Sequence, residues 1–184
     1  MRKLIPAAAL ALVALGSAVA PAQSVVSMKP SIFAGVALPT GDNTGLNTGV
    51  TAGAAVDLGG LMLPVGLRAE GSYSYFGLKD DGLGDTGNVS DVSGRINAVF
   101  GIPSLIISPY LIGGIGLYHV MTSFTSPSAG SFSDSNNKFG WNIGAGIDLP
   151  LVGFAARLEA RYHSVSMDTG GNYTYVPITL GIRF

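Results

Sequence analysis

The sequence has no cysteine, two histidines and one tryptophan, and only 11% of its 184 residues are charged. Without cysteine there is no disulfide framework, no thiolate metal site and no lipid anchor on a cysteine. Lys and Arg number ten against eleven Asp and Glu, so no basic patch of the kind that holds nucleic acid is expected. After residue 22 no apolar run repeats with the period of a helix, and none is long enough to cross a bilayer as a helix. Glycine, at 27 residues, and apolar residues, at 47%, are plentiful. Many short, half-apolar strands account for that hydrophobicity.

The final stretch, YTYVPITLGIRF, is the strongest such strand. Val176, Ile178, Leu180, Ile182 and Phe184 fall on one face, and Tyr175, Pro177, Thr179, Gly181 and Arg183 on the other. One fully apolar face opposite a polar face with Arg suits lipid outside and a filled polar lumen inside.

The amino terminus reads as a secretory signal peptide. Arg2 and Lys3 precede an apolar Leu4–Leu15 core, and small residues follow. Cleavage after Ala22 is favoured over Ala20, which would leave Pro21 first in the mature chain. The expected division is residues 1–22 as signal peptide and 23–184 as a single barrel domain. Without Arg2 and Lys3, eight basic residues face eleven acidic ones, a formal charge of about −3.

Eight strands are expected: Lys29–Leu38, Gly49–Leu58, Leu63–Phe76, Val89–Gly101, Ser108–Met121, Lys138–Leu149, Gly153–Ser166 and Tyr173–Phe184. Long polar connections (Pro39–Thr48, Gly77–Asn88, Thr122–Asn137, Met167–Asn172) alternate with short ones (Gly59–Met62, Ile102–Ile107, Pro150–Val152). That alternation marks an outer-membrane barrel, with long loops outside and short turns in the periplasm. A sheet crosses a bilayer only when it closes. The expected fold is therefore all-β: a closed eight-stranded antiparallel transmembrane β-barrel.

Parity assigns the faces. Leu67, Ala69, Tyr73 and Tyr75 oppose Arg68, Glu70, Ser72 and Ser74; Ile96, Ala98 and Phe100 oppose Asp91, Ser93, Arg95 and Asn97. Trp141 and Ile143 oppose Asn142 and Asp148, and Leu158 and Tyr162 oppose Arg157, Glu159, Arg161 and His163. The fifth strand, PYLIGGIGLYHVM, admits either facing; Leu111, Ile115 and Leu117 outward with Tyr118 inward is preferred. The lumen then holds Arg68, Arg95, Arg157, Arg161 and Arg183 against Asp57, Glu70, Asp91, Asp148 and Glu159. Asp57, Asp148, Arg157 and Arg183 are expected near the periplasmic mouth, and Glu70, Arg95, Glu159 and Arg161 deeper. Charges in a narrow lumen persist when paired, and the planar guanidinium matches a carboxylate. Outward Tyr75, Trp141 and Tyr162 at one level and Phe100, Phe154 and Phe184 at the other form two interfacial girdles.

The segments PYLIGGIG (109–116), GWNIGAGID (140–148), RLEARY (157–162) and the ending GIRF (181–184) resemble the small outer-membrane barrels of the OmpA transmembrane-domain and OmpX type. The resemblance covers nearly the whole mature chain. It implies a bacterial, Gram-negative outer-membrane location and a role without catalysis, cofactor or metal: envelope structure, with surface loops for adhesion or interaction. The partners it implies are outer-membrane lipids, lipopolysaccharide, the barrel-assembly machinery and a surface ligand. By the same likeness Leu180, Gly181, Ile182 and Phe184 carry the assembly signal. Longer OmpA proteins add a peptidoglycan-binding domain; with the sequence ending at Phe184, that role is not expected here.

Two alternatives are a small pore and a lipid A-modifying barrel enzyme of the deacylase type. Eight strands enclose only space that side chains fill, which disfavours a pore. For the enzyme, His163 clusters with Ser164 and Ser166, but neither serine shares its face, and position 165 is Val. Gly82–Gly87, Ser135–Lys138 and the Asp80, Asp81, Asp85 cluster resemble nucleotide, β-lactamase and cation motifs. Each lacks the structural context that its motif requires.

Overall fold

The computed structural model describes residues 27–41, 45–59, 65–79, 86–102, 106–126, 130–167 and 171–184. The expected signal peptide, residues 1–22, and the Asp80, Asp81, Asp85 cluster lie outside these residues. The period-two pattern becomes eight strands: β1 Ser27–Thr40, β2 Gly49–Gly59, β3 Val65–Gly77, β4 Thr86–Gly101, β5 Ser108–Ser126, β6 Gly130–Leu151, β7 Phe154–Ser166 and β8 Asn172–Arg183. Each pairs with the next, and β8 returns antiparallel to β1 from Ser31↔Arg183 to Thr40↔Thr174. The closed barrel of the sequence reading is the observed fold.

Facing follows parity, with the usual solvent preference inverted. Arg68 is 2% exposed while Leu180 is 69% exposed. Leu111, Ile115 and Leu117 are exposed and Tyr118 is buried, which settles the fifth strand on its preferred facing. Between β6 and β7 the register ends at Leu151↔Phe154. The turn is therefore Val152–Gly153, with Gly153 at φ 87°, a conformation that glycine adopts without a Cβ penalty. The β7–β8 ladder skips Arg161 and Tyr162, beside Val176 and Pro177, and Pro177 has no N–H to donate.

The third long connection differs from expectation. Residues 122–126 and 130–137 are strand rather than loop. β5 continues to Ser126 and β6 begins at Gly130, and they pair without a break from Ser126↔Gly130 down to Ser108↔Asp148. Their Ser, Thr and Asn content reads as loop composition. A ribbon beyond the barrel wall has solvent on both faces, however, so polar residues suit it, and the Phe124↔Phe132 cross-strand pair supports it. β4 likewise begins at Thr86, earlier than expected, and pairs there with Thr125.

Candidate functional site

The inward side chains form one unbroken chain of ion pairs. Arg183 Nη1 lies 2.7 Å from Asp148 Oδ2, and Arg157 Nε donates to Asp148 Oδ1 at 2.8 Å. Arg157 Nη2 reaches Asp57 Oδ2 at 3.1 Å, and Arg68 Nε donates to Asp57 Oδ1 at 2.5 Å. Arg68 Nη1 continues to Glu159 Oε2 at 2.6 Å, whose Oε1 accepts from Arg161 Nε at 2.7 Å. Arg161 Nη2 binds both oxygens of Glu70, at 2.6 and 2.7 Å, and Arg95 Nη2 completes the chain on Glu70 Oε1. Arg183 and Asp148 therefore stand at the turn end, and Glu70 and Arg95 at the far end, with Arg68 between the two groups.

Local strand geometry builds this arrangement. Asp57↔Arg68, Glu70↔Arg95 and Asp148↔Arg157 are direct register partners on neighbouring strands. The Arg68–Glu159 and Arg161–Glu70 pairs instead join β3 to β7, which are not neighbours, so they cross the lumen. Glycines make room. A Cβ on Gly144 would strike the Ala160 carbonyl and the Arg161 side chain, and one on Gly146 would strike the Tyr110 ring. That ring lies 5.3 Å from the Arg68 guanidinium and 5.4 Å from that of Arg157, and its hydroxyl donates to Glu159 Oε2 at 2.6 Å. Burial removes several kcal/mol of hydration from each ion, which only such saturated pairing offsets.

Two features of the pairing go beyond the sequence pattern. Glu70 does not pair with Arg68, two residues away on its own face: Arg68 turns to Asp57 and Glu159, and Glu70 takes Arg95 and Arg161. A strand spaces such residues along its axis, whereas the neighbouring strand presents Arg95 directly opposite. Asp91 lies outside the chain of ion pairs. It is buried beneath the Tyr175 hydroxyl, which donates to Oδ1 at 3.4 Å.

Above the ions, toward the loop end, the lumen turns aromatic. Phe76, Tyr118, Val120, Val165, Tyr173 and Tyr175 form a buried cluster. Phe76 packs edge-on against both Tyr173 (5.8 Å) and Tyr175 (5.3 Å). The sequence reading treated the lumen as polar and missed this cap. Its signal was present, since Phe76 continues the inward parity of Ser72 and Ser74. His163 belongs to the cap. Its ring stacks on Tyr175 at 4.9 Å, and its Nδ1 lies 2.9 Å from the Tyr118 hydroxyl. His163 thus meets a phenol, not a serine, and a general base must reach its nucleophile. Among the described residues no group of His, Asp and Glu has the spacing of a metal site.

On the outer wall Trp141 and Tyr162 stand 5.6 Å apart near the loop end, and both are exposed. Phe100, Phe154 and Phe184 are exposed near the turns. Leu180, Ile182 and Phe184 all face outward, and Gly181 lies opposite Phe33 of β1.

Known proteins bear on this geometry. Neisserial surface protein A superposes with a TM-score of 0.61 at 14% identity, covering 86% of this chain and 97% of its own. Ail, the attachment invasion locus protein of Yersinia pestis, solved with the heparin analogue sucrose octasulfate, gives 0.56 at 20% identity over 85% of this chain and 97% of its own. A major outer membrane protein of Thermus thermophilus gives 0.54 at 14% identity over 86% and 100%. At these identities the likeness shows the fold. No curated protein matches the sequence. The outer membrane protein beta-barrel domain matches residues 7–184. The chain therefore belongs to the outer membrane β-barrel family, and its exposed apolar wall faces the lipid of a bacterial outer membrane.

Proposed function

We propose that this barrel is a non-enzymatic envelope protein that presents the β5–β6 ribbon for adhesion or interaction outside the cell. The observation that carries the reading is an open edge. β7 pairs with β6 only from Gly140 downward. Among the described residues no strand pairs with the far edge of residues 130–137. Such an edge accepts an extended peptide as an added strand. Natural edges are commonly blunted by proline or charged side chains, lysine above all. Residues 130–137 contain no proline or lysine and a single charge, Asp134.

The filled lumen supports a structural rather than a conducting role, and the placement of His163 disfavours lipid A deacylation. The name of Ail, an attachment invasion locus protein, agrees with an adhesive role. Leu180, Gly181, Ile182 and Phe184 serve as the signal read by the barrel-assembly machinery, and residues 1–22 as a cleaved signal peptide. The test replaces residues 122–137 with Asn-Gly. Cells carrying the variant are expected to lose adhesion to surfaces and to one another, while the barrel keeps its heat-dependent gel mobility. Undiminished adhesion with a folded barrel rejects the proposal.

A further inference from the structure

Two buried nitrogens in the lumen share one unfilled need. Arg95 Nε and His163 Nε2 make no hydrogen bond within the protein. Both residues line a single small cavity beneath the aromatic cap, together with Arg161 and the hydroxyl-bearing Thr51, Ser74 and Thr179. Arg95 and Arg161 are 4% exposed and His163 is 1% exposed. A buried donor without a partner is costly, the more so on a charged group, and it calls for a small polar occupant. The cavity gives the centre of a water-sized sphere about 10 Å³, which is room for one such occupant.

Charge identifies that occupant. The chain of ion pairs alternates in sign and ends on arginine at both ends. Arg183, Arg157, Arg68, Arg161 and Arg95 meet Asp148, Asp57, Glu159 and Glu70, five against four. Arg183 is 23% exposed, so water screens its charge. Arg95, at the other end, has no such relief. Among the described residues no carboxylate lines the cavity, Asp91 included. The His163 Nδ1 lies 2.9 Å from the Tyr118 hydroxyl. With that phenol donating to Nδ1, Nε2 carries a hydrogen and becomes a second donor beside Arg95 Nε–H. A water would pair with both donors but add no charge. An anion pairs with them and balances the terminal guanidinium, since bonds to ions are the stronger kind. Sulfate, phosphate and carboxylates exceed the space. We infer that this cavity binds one halide-sized anion, chloride being the common one, held by Arg95 Nε and His163 Nε2. The site lies inside the barrel and does not depend on the adhesion reading.

The test refolds the full-length mature protein in bromide, with chloride omitted, and crystallises it. Diffraction above the bromine absorption edge is expected to show an anomalous peak within hydrogen-bond reach of Arg95 Nε and His163 Nε2. Density there without an anomalous signal would be a water and overturns the inference, as does a cavity without density. A second arm follows urea unfolding in phospholipid vesicles at fixed ionic strength. The equilibrium constant for unfolding is expected to be at least about fivefold smaller in chloride than in gluconate, an anion too large for the cavity. Equal constants in the two salts overturn the inference. The variant His163→Phe is expected to keep the barrel's gel mobility and to lose both the bromide peak and the chloride effect. A peak or a chloride effect undiminished in the folded variant overturns it equally. Should that variant not fold, the wild-type peak decides.

Discussion

Glu70→Gln is the sharpest probe of the buried ions. Glu70 is almost wholly buried and accepts from Arg95 once and from Arg161 twice. Glutamine keeps the shape but cancels the charge that both guanidiniums face. Arg161 retains Glu159, whereas Arg95 is left with the hydroxyls of Ser93 (2.7 Å) and Ser72 (2.8 Å), and its Nε has no partner. Removing one member of a buried ion pair costs about 3–5 kcal/mol, because the remaining charge is uncompensated. That is roughly a 100- to 5,000-fold change in the folding equilibrium. The assay is reversible urea unfolding in phospholipid vesicles. Trp141, the only tryptophan, leaves the membrane interface as the barrel unfolds and so reports the transition. The double variant Glu70→Gln, Arg95→Gln should be destabilised by clearly less than the two single losses combined. A single variant within about 0.5 kcal/mol of wild type, or strict additivity in the double, would refute the claim that Glu70 compensates these arginines.

Leu180→Arg sets a lumen-type side chain against lipid and should destabilise the barrel by about 2–4 kcal/mol in the same vesicles. Tyr110→Phe removes a 2.6 Å bond to buried Glu159 and should cost about 1.5–3 kcal/mol with little change in structure by circular dichroism. Gly144→Val forces a side chain against the Ala160 carbonyl and the Arg161 stem and should lower the urea midpoint by more than Gly94→Val, because a Cβ at Gly94 meets nothing. Phe184→Ala should slow insertion in cells, read by pulse labelling, while the purified protein refolds with near-normal stability. Equal loss in both settings would assign Phe184 to packing rather than to assembly.

Alternation alone revealed most of the fold, because side chains on a strand repeat every two residues and only one face meets lipid. That is why Arg68, Glu70, Arg95 and Glu159 were legible as lumen residues. Their partners were not. Which arginine meets which carboxylate depends on the register between strands and on distances across the barrel, as the Arg161–Glu70 pair between β7 and β3 illustrates. The strand extensions at 122–126 and 130–137 are not legible in the sequence because polarity in a strand with solvent on both faces looks the same as polarity in a loop. The aromatic cap escaped notice because Phe76 and Tyr173 sit at strand ends, where an apolar residue is easily assigned to the wall.

The chain of ions has a consequence for how the barrel recognises its own correct assembly. Sliding a strand by one position would turn its charges toward lipid, so hydrophobicity forbids that error. Sliding by two leaves every side chain on its proper side, and hydrophobicity cannot detect it. Such a shift would carry Arg68 away from Asp57 and Arg95 away from Glu70, stranding charges that are buried from solvent. The ions thus act as a key cut to a single alignment, excluding near-miss barrels that look equally good from the membrane side.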